Sequence, residues 1–220
     1  MNYFAHGMDL AETPHLMVGS ALPDMLSVVH RKARLRRRLA EEFLARAAPG
    51  PEADLAAGVI RHLDDDDWFH RTRAFNDLMW RFTVLVRDAL PGDDGLRPRF
   101  LGHILVELLL DDTLIRRRPQ RLNEYYDAFA AVEPGLVAAW VERVTGKPVE
   151  RLAWFVDRFV EARVLEDYAD DERLLYRLNQ VMRRVRLGPL PNEFTEVFME
   201  MRPAVDAHAD RLMTPCAPFV

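Results

Sequence analysis

Two stretches of the chain place imidazoles and carboxylates one helical turn apart. In residues 58–70, a helix would carry His62, Asp66 and His70 at i, i+4 and i+8 on one face. In residues 102–112 the same spacing recurs with His103, Glu107 and Asp111. Imidazole and carboxylate converging in this way suit a divalent transition ion such as Mn, Fe or Zn. Asp65, three residues after His62, is exchangeable with Asp66 as a ligand on spacing alone. The aspartate run 64–67 is costly inside a helix, through both propensity and mutual repulsion, and a bound cation would relieve it. The competing expectation is a solvated acidic face. The second stretch is apolar nearly all round, through Ile104, Leu105, Val106, Leu108, Leu109 and Leu110, as in a buried helix. Buried carboxylates must be coordinated, hydrogen-bonded or paired. An arginine from another helix is the alternative partner for Glu107 or Asp111.

Other residues join these by type alone. His6 follows Tyr3-Phe4-Ala5, a segment that reads as packed in. Asp24 follows Leu22-Pro23, where a carboxylate suits either coordination or the capping of a following helix. The run Arg31-Lys32-Ala33-Arg34-Leu35-Arg36-Arg37-Arg38 concentrates positive charge on a chain whose net charge is −5. Such a patch suggests an anionic partner or a substrate phosphate, with Arg31, Arg34, Arg37 and Arg38 as its contacts; the alternative is a solvated helix face. A smaller basic run is Arg116-Arg117-Arg118. His15, His30 and His208 lack a partner pattern and read as structural. Cys216, the single cysteine, has nothing nearby to lower its pKa, and it excludes an internal disulfide or a multi-cysteine zinc site. There is no phosphate-cradling glycine loop, no Gly-x-Ser-x-Gly and no HExxH.

The elements that must hold these residues are helical. Apolar positions recur at three and four residues, glycine is scarce, and alternation of β-branched residues is nearly absent. The pattern predicts helices over 14–22, 25–48, 52–66 with a continuation through 68–90, 99–117, 122–132, 135–145, 149–168, 171–186 and 192–212. Breaks fall at Pro23-Asp24, 49–51, 91–95 and 188–191. They are short and no repeat is present, so residues 1–220 are expected to form a single-domain, all-α, multi-helix bundle. A hydrophobic share of 49% excludes disorder for the chain as a whole. The acidic balance argues against general nucleic-acid affinity. No apolar run predicts a membrane span, and the opening residues lack the features of a signal peptide. The single cysteine fits a reducing cytoplasm.

Taken together, these residues resemble the acyl carrier protein phosphodiesterase family, whose fold is related to the HD-domain metal-dependent phosphohydrolases. The resemblance is carried by the opening Met1-Asn2-Tyr3-Phe4-Ala5-His6, by Gly19-Ser20-Ala21-Leu22-Pro23-Asp24, by Gly58 to Asp66, and by Leu109-Leu110-Asp111-Asp112. Val164-Leu165-Glu166-Asp167-Tyr168 and the helix after it also follow the family pattern. Departures are Leu63-Asp64-Asp65 in place of an arginine run, Phe69-His70 in place of Thr-Asp, and Asp111-Asp112 in place of Asp-His. The chain is also similar to zinc-dependent phospholipase C-like proteins.

The resemblance implies an HD-domain-like fold and metal-dependent hydrolysis of a phosphate ester, with phosphopantetheine on an acidic carrier protein, or a small phosphorylated compound, as substrate. It implies His62, Asp66, His103 and Asp111 as principal ligands. His6, Asp24, His70 and Glu107 would serve a second ion or acid–base work, Asp24 orienting the attacking water and His70 protonating the leaving oxygen. The rival expectation is a non-catalytic helical adaptor in which these groups form a polar core.

Overall fold

The computed structural model describes residues 1–91 and 97–215. Among them every regular element is a helix. In chain order these are α1 (Tyr3–Gly7), α2 (Pro14–Val29), α3 (Arg37–Leu44), α4 (Pro51–Phe69), α5 (Arg73–Ala89) and α6 (Pro98–Arg117). There follow α7 (Pro119–Ala130), α8 (Pro134–Thr145), α9 (Leu152–Ala162), α10 (Asp171–Arg184), α11 (Phe198–Asp206) and α12 (Ala209–Leu212), with 3₁₀ turns over Val164–Ala169 and Asn192–Val197. Proline opens α2, α4, α6, α7 and α8. Its fixed φ and missing N–H cost nothing at a first helical position. Cys216 and most of the predicted 91–95 break lie outside the described residues.

Several expected boundaries fall elsewhere: the expected helix 149–168 is α9 followed by a 3₁₀ turn, and 192–212 is a 3₁₀ turn followed by α11 and α12. The break at Pro23-Asp24 does not occur: α2 continues through Pro23 to Val29, so Asp24 sits inside a helix and not at the N-cap of a following one. The proline ring crowds the carbonyl four residues back, that of Gly19, without ending the helix. The predicted basic helix over 25–48 is two helices with residues 30–36 between them. There His30 Nδ1 accepts the Ala33 N–H at 3.1 Å. The proposed continuation of α4 through 68–90 is interrupted at 70–72, where Thr72 caps α5 by accepting the Phe75 N–H at 3.1 Å.

The residues fall into two compact units, each assembled from separated parts of the chain. The first contains Met1–Asp66 and Arg118–Val164. Its core is aromatic: Tyr3 and Tyr126 pack on Phe159, and Phe4 and Phe129 pack on Tyr125. The Tyr125 hydroxyl donates to the Tyr3 carbonyl at 3.2 Å, which fixes α1 against α7. The second unit contains Asp67–Arg117 and the residues from Leu165 onward. Here α5 and α6 pack along their length, burying Phe75, Leu78, Phe82, Leu101, Leu105 and Leu109. Buried Asp112 receives Arg116 Nε at 3.1 Å and Arg202 Nη1 at 2.7 Å, and Arg202 also binds Asp171 and the Tyr168 carbonyl. An arginine from another helix thus pairs with Asp112, the neighbour of Asp111. No helix among the described residues is long and apolar enough to cross a membrane.

Within the first unit α2 and α4 cross at glycines. A Cβ on Gly58 would collide with the Leu16 carbonyl oxygen and stand 2.7 Å from Ser20 N. A Cβ on Gly19 would collide with the Leu55 carbonyl oxygen. These obstacles are backbone, which cannot rotate aside. Gly58→Ala is therefore expected to cost about 3 kcal/mol, the upper end for overpacking, with a loss of several degrees in Tm. An unchanged Tm would mean that the two helices do not approach this closely in solution.

Candidate metal centres

The close crossing sets the first centre. One turn after Gly58, α4 presents His62, whose Nδ1–H donates to the Ser20 carbonyl on α2 at 2.8 Å. A carbonyl oxygen can only accept, so the proton sits on Nδ1 and the Nε2 lone pair is free to face inward. Nε2 lies 3.5 Å from Asp66 Oδ2, one turn further along α4. From α1, His6 stacks on His62 with ring centroids 4.1 Å apart. Its Nδ1–H points to Asp65 Oδ2 at 3.3 Å, and its Nε2 lies 3.4 Å from Asp66 Oδ1.

Both histidines thus have Nδ1 engaged by an oxygen and Nε2 turned toward the same carboxylate. That is the arrangement in which outer oxygens orient imidazole ligands. Ligand atoms of His6, His62 and Asp66 lie within 4.8 Å of one another. The buried His6 Nε2 makes no hydrogen bond among the described residues. A divalent ion fits this donor set, and it would satisfy that nitrogen.

The electrostatics are those of a tightly coupled cluster. Burial would lower the His6 pKa, but the hydrogen bond to Asp65 and the close approach of Asp66, helped by the charge of Asp24, push it up to about 9. Burial and the charge on His6 push His62 down to about 3. Burial would raise the Asp66 pKa, yet its contacts with His6, the Met1 ammonium and His62 hold it below the usual carboxylate range. The Met1 α-amino group donates to Asp66 Oδ1 at 2.6 Å. Asp65, exchangeable with Asp66 on spacing, is placed as the partner of His6, with Arg61 Nε 3.6 Å from it. Asp64 turns to Arg37 instead, at 2.5 Å.

The second centre lies in the other unit and has the same composition. His70, in the turn after α4, brings Nε2 to 2.9 Å from Glu107 Oε1 on α6. His103 Nε2 lies 3.2 Å from that same oxygen, and the two rings are 4.7 Å apart. The ring of Phe75 packs against both, at 4.8 and 5.0 Å. Ligand atoms of His70, His103 and Glu107 also lie within 4.8 Å of one another. Burial would raise the Glu107 pKa; hydrogen bonds from His103 and His70 help to hold it well below the usual range.

The expected residues are therefore redistributed. His62 and Asp66 belong with His6, and His103 belongs with Glu107 and His70. Asp111 is fully buried and falls in neither group; Asp24 falls in neither and acts on His6 through its charge. The four residues expected as principal ligands do not form a single set, because His62–Asp66 and His103–Glu107 are separate one-turn pairs. Of the basic residues, Arg31 and Arg34 lie before α3 rather than on a helix, Arg37 is tied to Asp64, and Arg38 reaches Glu42 at 3.2 Å. Sequence reasoning missed the Ser20 carbonyl, whose role is signalled only by Gly19 and Gly58.

No known family model matches the chain, and no curated protein or solved structure matches it.

Proposed function

We propose that the chain is a metal-dependent phosphohydrolase, HD-domain-like in fold, acting on a phosphate ester. The observation that carries this reading is the paired orientation of His6 and His62, each anchored through Nδ1 and each directing Nε2 at Asp66. A polar core needs its charges neutralised. It does not need two imidazoles aligned on one carboxylate with a nitrogen left unbonded. His6, His62 and Asp66 would hold one ion, and His70, His103 and Glu107 another. The chemistry such ions supply is Lewis acidity, which acidifies water and neutralises phosphoryl charge.

The protein's own groups then orient and tune. Ser20 and Asp65 hold the imidazoles, and Asp24 adds negative charge that acts on His6. We assign Asp24 to orienting the attacking water. His70 joins the second ligand set in this reading, rather than serving as the acid. Phosphopantetheine on an acyl carrier protein remains the substrate implied by the resemblance of the motifs.

The adaptor is the second reading, favoured by one observation: His6 beside Asp65 and Asp66 can balance charge with no ion present. Metal analysis by mass spectrometry separates the two. Protein purified without chelator should carry a transition metal and hydrolyse bis-nitrophenyl phosphate when Mn is added. Metal-free protein that stays folded in chelator and turns over nothing with Mn would overturn the hydrolase and leave the adaptor.

A further inference from the structure

A groove of about 250 Å³ lies between residues 32–39 and the end of α8. Five cationic side chains line it, Lys32, Arg34, Arg36, Arg38 and Lys147, and no carboxylate does. The backbone explains the convergence. Burial alternates along Lys32-Ala33-Arg34-Leu35-Arg36, with Ala33 and Leu35 inside and the three cations outside. The Ala33 N–H bonds back to the His30 carbonyl at 2.9 Å, so the segment leaves a turn at residues 30–33 and reaches the extended Arg36 that precedes α3, with its apolar side chains inward and its cations in solvent. Lys147 comes from across the groove, just past the left-handed Gly146 that ends α8. The Thr145 hydroxyl accepts its backbone N–H at 3.3 Å.

Among the described residues, Lys32, Arg34, Arg36 and Lys147 form no ion pair, and Arg38 has only the exposed contact to Glu42. The C-terminal end of α8 offers about half an elementary negative charge, which cannot balance five cations. Concentrated positive charge in a concavity, on an acidic chain, focuses potential on an anion. A volume just below the ~300 Å³ at which ordinary ligand pockets begin suits a small group.

We propose that this groove binds a small compound carrying two or more adjacent phosphoryl charges, either free or on a lipid headgroup. The site is independent of the metal reading, since none of its residues belongs to either ligand group. The test is titration of the full chain with sodium tripolyphosphate by calorimetry, before and after chelation of metal. A parallel arm uses phosphatidylcholine vesicles with and without phosphatidylinositol bisphosphate.

Saturable binding that survives chelation, and that weakens at least tenfold in R34A/R36A and also in K147A, is the expected result. These side chains are exposed, so the variants should keep the native circular dichroism. If the tenfold loss appears with vesicles and not with tripolyphosphate, the lipid is the source and the assignment stands. Binding unchanged in both variants, binding lost on chelation, or equal binding to phosphatidylserine vesicles or to single-stranded RNA would overturn it.

Discussion

His62→Ala is expected to abolish metal binding at the first centre and to lower Mn-dependent phosphodiesterase activity at least about 100-fold, since loss of even an outer-shell partner of a metal ligand costs 10–100-fold. The imidazole is almost wholly buried, at 3% exposure, and it bridges two helices by donating to Ser20 and facing Asp66. Alanine removes the ligand and leaves the Ser20 carbonyl without that bond, so some stability is lost, about 1–3 kcal/mol. Helix content should survive, because the Gly19–Gly58 crossing and the aromatic core of α1, α7 and α9 do not involve His62. His103→Ala provides the comparison. The two ligand sets share no residue, so each variant should lose its own share of bound metal and no more. Full metal stoichiometry in both would end the assignment.

The pH dependence of metal-free stability should peak near the ordinary histidine value and fall on both sides. His6 titrates at about 9 when folded and near 6.5 when unfolded. Between those values the folded state holds a proton that the unfolded state has released, so stability falls as pH rises. His62 titrates at about 3 when folded, so from 6.5 down toward 3 the unfolded chain takes up a proton that the folded state refuses. Stability then falls as pH drops. Each limb amounts to on the order of a few kcal/mol, or several degrees in Tm.

Saturating Mn should reverse the alkaline limb. Coordination requires neutral His6, so binding releases its proton, and metal stabilises the protein more strongly as pH climbs toward 9. Thermal melts across pH in chelator and in Mn read both effects. A chelated profile that rises between pH 6.5 and 9 would contradict the His6–Asp65–Asp66 contacts.

The parts of this protein legible in its sequence are those governed by one-turn spacing. His62 with Asp66 and His103 with Glu107 lie on α4 and α6 as a 3.6-residue period demands. What spacing could not supply was grouping. His70 continues the i+4 series, but α4 ends at Phe69 and Thr72 opens a new helix, so His70 turns toward α6. Asp111 completes the same series on α6, yet it lies outside the ligand group. The basic stretch was misread for a related reason. Its abundance of arginine satisfies helix propensity, while a turn closed by the Ala33 N–H on the His30 carbonyl separates α2 from α3 and buries Ala33 and Leu35 between exposed cations. Pro23 misled in the other direction. A proline within a helix usually marks its end, and here α2 continues through Pro23, just after the stretch at Gly19 that lies against α4.

The threading of the chain through its two units also has a consequence for biosynthesis. The first unit needs α7 and α9 to cover the aromatic face of α1, and these follow the whole of α5 and α6 in the sequence. The second unit likewise waits for residues beyond Leu165. With the ribosome adding about 5–20 residues per second, Tyr3 and Phe4 emerge seconds before the helices that will enclose them. During that interval the nascent chain displays an uncovered apolar face. Folding of either unit is therefore non-local, since each closes only once its second segment has been made.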